Sequence, residues 1–501
     1  MTLDQGTTPL PPNSDRDRRF SGPAWQLWPF NLISQTFQMQ QRWWNGAANN
    51  MLGVLPEHRK LVAFSIQQLL DVFSPSNFIW TNPEILARTF QTGGANLWLG
   101  LQRMVEDSQN LLSHATPAGE NTFVVGRDVA ITPGNVVFRN DLIELIQYLP
   151  LGEAAHPEPI LIVPSWIMKY YILDLSPGNS LVRYLLGQGH SVFVMSWKNP
   201  TAADANLDLD DYLRLGVMQA LDAVEAIAPK RKVHAVGYCL GGTLLVIAAA
   251  AMGRDGDRRL ASMSLLAAEA DFSEPGELAL FIDDQQISAL ENIMSMRGYL
   301  DDTLMATAFQ LLNSRDLIWS RMVKEYWMGE QTQVSDLMAW NADGTRLPCR
   351  MHSETLRRLF LQNDLANNRY LVAGIPVRLA DIDCPIFCLG TERDQVAPWR
   401  SVYKLHDLTH AETTFVLTSG GHNVGIVNPP GVEGRSYHVL TRLRNGPSLA
   451  PEAWLAAASL QEGSWWPCWA EWLRDRSGEK TSNLPMSMAL SRAPGHYVLE
   501  Q

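Results

Sequence analysis

Gly237-Tyr238-Cys239-Leu240-Gly241 sets a cysteine midway between two glycines, at the end of the apolar run Val233-His234-Ala235-Val236. The frame is that of a nucleophile elbow, in which a strand ends, the chain turns sharply and a helix begins, presenting a strained central residue at the apex. Glycines flank that residue because side chains there would meet neighbouring backbone. The amide after the nucleophile, here that of Leu240, would help to hold an oxyanion. Five cysteines, each needing glycine at two set positions at about 7% usage, give about 0.02 chance matches. The competing reading of Cys239 is an inert buried thiol.

Such a nucleophile needs a carboxylate and then a histidine later in the chain. Glu392 and Asp394 follow the apolar run CPIFCLG (Cys384 to Gly390), and His422 lies in the Gly-flanked stretch after TTFVLT (Thr413 to Thr418). Both loops come just after predicted strands, at the ends where open α/β sheets place their sites. Asp394 is preferred to Glu392 because it stands deeper in the loop before Pro398. His422 is preferred on triad order to His406, His410 and His438, of which the first two read as surface positions on a polar helix. His234, inside the elbow strand, reads as a satisfied core residue. Cys384 and Cys388 straddle an apolar strand and read as packing.

The elements that must position these groups follow from the apolar pattern. Trp25 to about Asp107 is helical in period, with Phe30, Ile33, Phe37 and Trp44 on one face. Strand signals begin with TFVVGRDV from Thr122 and GNVVFRN, joined by a Pro133-Gly134 turn. PILIVP, HSVFVMSW, VHAVGY and SMSLLAA continue them in alternation with helices, which implies a parallel sheet covered on both faces. From Phe272 to Leu379 the rhythm becomes helical, with LMATAFQLL and LIWSRMVKEYWM as clear segments, before CPIFCLG and TTFVLT resume the sheet. The predicted fold is an α/β-hydrolase: a mostly parallel doubly wound sheet, a helical cap insertion and an N-terminal helical domain. The predicted organisation is a flexible tail (1–20), the helical domain (21–120) and the first part of the core with the elbow (121–271). The cap insertion (272–379) follows, then the second part of the core with the acid and base loops and the C-terminal region (380–501).

Composition narrows the class. The chain has 501 residues, 46% hydrophobic and 18% charged, which argues for globular domains over disorder. A net charge of -12 argues against nucleic-acid binding. Five cysteines without paired CxxC spacing suggest reduced thiols in the cytosol. The N-terminus has no apolar signal-like region, and the longest apolar candidate for a membrane span, Leu244 to Met252, is too short. There is no P-loop or dinucleotide fingerprint, so neither a metal nor a nucleotide cofactor is expected. Seventeen tryptophans include the doublets Trp43-Trp44 and Trp465-Trp466, for which core packing is the favoured reading over a sticky surface.

Several blocks resemble the polyhydroxyalkanoate (poly-3-hydroxybutyrate) synthases of bacterial storage granules, in their long single-subunit, class I-like form. These are SPSNFIWTNPE (Ser74 to Glu84), VPSWIMKYYILDLSPGNSLVRYL (Val163 to Leu185), SWKNP, GYCLGGTL, AWNADGTRLP, VAPW, GHNVGIVNPP and GSWWPCWAEWL. The resemblance runs from about Trp25 to the C-terminus. It implies Cys239 as nucleophile, Asp394 as acid and His422 as base, acting on a 3-hydroxyacyl thioester of coenzyme A with release of CoA. It further implies a growing polyester and granule surface as partners, a cytoplasmic setting and a homodimer, to which the tryptophan-rich termini also point. Analogy with hydrolases adds a second oxyanion donor from the loop after PILIVP, at Ser165 or Trp166. Gln395 stands where the family commonly has His, Ser165 where it has Pro or Ala, and Asn423-Val424 where many members have a hydrophobic residue and alanine. The rival readings are a cysteine hydrolase of the same fold, such as a depolymerase or thioesterase, and a weakly active granule-associated homologue.

Overall fold

The computed structural model describes residues 17–51, 53, 56–113, 123–305, 307, 314, 318–331 and 333–501. Residues 1–16 of the expected tail, Thr122 and most of LMATAFQLL lie outside them. The chain divides into two compact units, one drawn from 1–118 and 313–333 and the other from 119–312 and 334–501.

The first unit is helical. Its long elements are α1 (Phe30–Asn49), α2 (Pro56–Val72), α3 (Pro83–Thr92) and α4 (Ala95–Ser113). Asn82 caps α3 by accepting the amides of Glu84 and Ile85 at 2.9 and 3.3 Å, with Pro83 in the first turn, and Gly93 closes it at φ 60°. That is what Asn-Pro-Glu encodes at a helix start. A segment from the middle of the chain belongs to this unit. Asn96 Nδ2 donates to the Trp327 carbonyl at 2.7 Å, Trp327 Nε1 to the Asn77 carbonyl at 3.0 Å, and the Tyr326 hydroxyl to Asp107 at 2.7 Å. The long insertion is therefore shared between the two units.

The second unit is built on an 11-stranded sheet. In chain order its strands are β1 (Gly134–Arg139), β2 (Ile143–Tyr148), β3 (Ile160–Val163), β4 (Val192–Trp197), β5 (Val233–Tyr238), β6 (Leu260–Leu266), β7 (Ile386–Thr391), β8 (Thr413–Thr418), β9 (Ser436–Arg442), β10 (Ser459–Glu462) and β11 (Ser491–Arg492). Across the sheet they run β10-β9-β8-β7-β6-β5-β3-β4-β2-β1-β11. The stretch from β4 to β8 is parallel, and antiparallel strands extend both edges. The chain leaves β3 for β4 on one side and returns to β5 on the other, so strand order reverses between β3 and β5. A crevice opens at the carboxyl ends of such a switch. β5 runs directly into α5 (Leu240–Asp255), whose residues from Gly241 to Met252 are all buried. The apolar stretch too short to cross a membrane is thus the inside of a central helix. Among the described residues no helix is long and apolar enough to cross one.

Three sequence readings change. The described part of TFVVGRDV, from Phe123, is not a strand: Val125 and Val129 form one bridge, and Asp128 accepts the Val124 amide at 2.8 Å, so the segment folds back on itself. His406 is not at the surface. It is 2% exposed and stacks on Tyr403 with ring centroids 4.3 Å apart, because its short helix turns that side inward. The Trp43-Trp44 doublet is exposed, at 64% and 42%, whereas Trp465-Trp466 is buried.

Candidate active site

Cys239 caps α5 at φ 51° and ψ -130°, a left-handed conformation that costs a side-chain-bearing residue on the order of 1–3 kcal/mol. The surroundings enforce it. The Cys239 amide donates to Leu266 in β6 at 2.9 Å, and its carbonyl accepts from Gly242 at 2.8 Å. A side chain at Gly237 would come within 2.3 Å of the Gly242 Cα, and one at Gly241 within 2.4 Å of the Val163 carbonyl. The flanking glycines let the strand, helix and β3 end close on one another. Leu240 opens α5, where an amide has no acceptor within its own helix.

Asp394 and His422 come from the loops after β7 and β8. His422 Nδ1 lies 2.8 Å from Asp394 Oδ2, and the Asp394 side chain is fully buried. Thr391 Oγ1 donates to the same oxygen at 3.0 Å, while the amides of Val396 and Ala397 donate to Oδ1 at 2.9 and 2.8 Å. Burial alone would raise the Asp394 carboxyl. His422 and the two amides outweigh it and hold the carboxyl below its usual range. Burial alone would lower His422. Asp394, with a further contribution from Cys239, instead holds the imidazole well above its usual range. With Nδ1 engaged, Nε2 is the nitrogen left for the thiol.

Cys239, Asp394 and His422 are thus brought together, while Glu392 and Gln395 are exposed. The Ser165–Trp166 loop follows Pro164, whose carbonyl abuts Gly241, so it borders the elbow. The Trp166 indole is buried against Tyr212 at 5.8 Å. Cys388 is buried inside β7, and burial pushes up both its thiol and that of Cys384, the latter to about 12.

The supporting contacts were not visible in the sequence. The Tyr238 hydroxyl donates to Asn423 at 2.7 Å, next to His422, so the residue that departs from the family pattern has a structural partner. The buried tryptophans near α6 (Trp466–Arg474) hold the His422 loop: Trp465 Nε1 donates to the Gly425 carbonyl at 2.8 Å and Trp466 Nε1 to that of Ile426 at 3.0 Å. The crowding of indoles in GSWWPCWAEWL was the only sequence sign of this.

The doubly wound sheet and its elbow define an α/β-hydrolase, and residues 158–429 match the family described as "alpha/beta hydrolase fold". Residues 16–185 match "Poly-beta-hydroxybutyrate polymerase (PhaC) N-terminus". The chain is 39% identical to the poly(3-hydroxyalkanoate) polymerase of Methylorubrum extorquens, over 99% of this chain and 83% of that protein. It is 38% identical to the poly(3-hydroxyalkanoate) polymerase subunit PhaC of Rhizobium etli, over 98% of this chain and 78% of that protein. The corresponding subunit of Cupriavidus necator is 35% identical, over 96% and 83%. The chain belongs to the poly(3-hydroxyalkanoate) polymerase family and is an acyltransferase.

Proposed function

We propose that the enzyme polymerises (R)-3-hydroxyacyl-CoA through an acyl-cysteine at Cys239, releasing CoA at each addition. The observation that carries this reading is the bond from His422 Nδ1 to Asp394, with Cys239 acting on the same imidazole. His422 takes the thiol proton, and Cys239 attacks the thioester carbonyl. Asp394 fixes the imidazole tautomer and stabilises its charged form. The Leu240 amide, with a second donor from the Ser165–Trp166 loop, holds the oxyanion. The tetrahedral adduct then expels CoA thiolate, which leaves with the proton held on His422.

The choice of sulfur follows from bond energies. Exchange of one thioester for another is nearly isoenergetic, so the acyl group stays activated on Cys239. The 3-hydroxyl of the next unit, deprotonated by His422, then attacks it and forms an oxygen ester downhill, breaking the bond to Cys239. His422 returns the proton to the thiolate, and Cys239 takes the lengthened chain back from its CoA thioester, releasing CoA. A serine would store the acyl group as an ester and leave little drive for chain growth. CoA enters as substrate, and the scheme calls on no resident cofactor or metal. Because the product stays covalently held, the enzyme would sit at the surface of a polyester granule in the cytoplasm, as a homodimer.

Wild type and Cys239→Ala incubated with 3-hydroxybutyryl-CoA test the reading. Wild type should release CoA and build polymer, with oligomer mapped to Cys239, and Cys239→Ala should do neither. Release of CoA and free acid without polymer would assign hydrolysis instead.

A further inference from the structure

Glu269 is a carboxyl that the scheme above leaves unused. It stands three residues past β6, the strand beside β5, and its backbone is locked to the elbow. Ala267 takes φ 49°, close to the 51° of Cys239, so two side-chain-bearing residues at neighbouring strand ends adopt the left-handed region. Strain of this kind persists only where the surroundings over-determine it, and it clusters at functional sites. A side chain at Gly242 would come within 2.4 Å of Ala268 Cβ, and Thr243 Oγ1, in the first turn of α5, donates to the Glu269 carbonyl at 2.8 Å.

The side chain is buried with the rest of this turn. Glu269 is 5% exposed, and its Oε1 has no partner among the described residues. Its backbone is tied to the first turn of the helix that Cys239 caps, and its carboxyl lies within electrostatic range of Asp394, Cys239, His422 and Asp271. Burial, reinforced by Asp394 and Cys239, holds it well above the usual carboxylate range, which favours the neutral acid. A neutral carboxyl offers one O–H donor and one carbonyl acceptor.

A 3-hydroxyacyl thioester has two polar groups on its acyl chain. Backbone amides of the elbow serve the carbonyl. The 3-hydroxyl is three bonds from the reacting carbon, so it too must lie beside Cys239, and it needs both a donor and an acceptor. We propose that Glu269 recognises the substrate's 3-hydroxyl, its buried carboxyl exchanging hydrogen bonds with that group. This assignment rests on the acyl-cysteine reading of Cys239. A site built to bond a hydroxyl rejects the analogue that lacks it, because the protein group is then left buried and unpaired. Glu269 is therefore the specificity residue that separates hydroxyacyl from plain acyl thioesters.

The test compares 3-hydroxybutyryl-CoA with butyryl-CoA, reading CoA release in a single turnover. In Glu269→Leu the preference for the hydroxyacyl substrate should fall about tenfold or more, with the rate on butyryl-CoA retained. Glu269→Gln keeps a donor and an acceptor and should stay within about threefold of wild type. Glu269→Ala gives the same readout should Glu269→Leu fail to fold. Equal losses on both substrates, or an unchanged preference, overturn the assignment. CoA release by Cys239→Ala at the wild-type rate overturns the acyl-cysteine reading instead.

Discussion

At the carboxyl ends of the strands, His422 is bonded to Asp394, feels Cys239 as well, and is held above the ordinary imidazole range. At the amino ends of the same sheet, burial and neighbouring cationic groups push His190 down to about 3 and His234 to about 4. Those two rings and His156 form a row, with centroids 4.8 and 6.4 Å apart. Among the described residues the hydrogen bonds of His234 go to hydroxyls, Ser262 at 2.7 Å and Ser477 at 3.0 Å, which suit a neutral ring. A cavity of about 470 Å³ opens beside the row, lined by His156, Tyr184, His190, Glu471, Arg474 and Lys480. Burial is common to both ends and cannot explain the difference. The buried carboxylate in contact with His422 does, because it favours the charged form of the imidazole that burial alone would disfavour.

Asp394→Asn breaks that contrast most directly, since it keeps shape and burial and removes the charge. CoA release from 3-hydroxybutyryl-CoA should fall about 10³- to 10⁴-fold, as the wrong imidazole tautomer is stabilised. The ring of His422, followed by NMR, should titrate lower, towards the behaviour of the amino-end histidines. A rate within tenfold of wild type would mean that the carboxylate is not what separates the two ends.

The parallel strands were legible because runs such as Ile160–Val163 and Ile386–Thr391 are buried on both faces and read as continuous apolar stretches. β2 escaped notice for the opposite reason. Glu144 and Gln147 lie buried inside it, satisfied by Arg139 at 2.7 Å and by the Pro485 carbonyl at 2.9 Å, so its pattern carries polar residues where a core strand has none. The order of Cys239, Asp394 and His422 could be read because each follows a strong strand. Glu269 follows one too, but its meaning depends on β6 lying beside β5, a neighbour relation that no local pattern encodes. The tryptophan doublets make the same point. Trp43-Trp44 and Trp465-Trp466 are identical as text, and only packing buries one of them.

The amino-end histidines should appear in stability and not in catalysis. Their folded pKa values lie below the unfolded value near 6.5. Between about pH 6.5 and 4 the unfolded chain therefore binds protons that the native one refuses. The stability they support is fully present above pH 6.5 and is lost as pH falls, by about 1.4 kcal/mol per pH unit for each proton. Urea unfolding of His234→Gln at pH 6.5, 5.5 and 4.5 should show a slope shallower by about one proton, with CoA release at pH 7 nearly unchanged. An unaltered slope would place the acid sensitivity elsewhere.

The smallest effect is expected two residues from the largest. Glu392 shares a loop with Asp394 and is the same kind of acid, yet it is exposed and Asp394 is the carboxylate bonded to His422. Water and salt screen a charge in that position, so its field at the imidazole is weak. Glu392→Gln should keep kcat and KM for 3-hydroxybutyryl-CoA within about twofold of wild type and leave the titration of His422 in place. Were it to match the loss in Asp394→Asn, mere presence of a carboxylate at the carboxyl ends, and not its buried contact with the ring, would be setting the behaviour of His422.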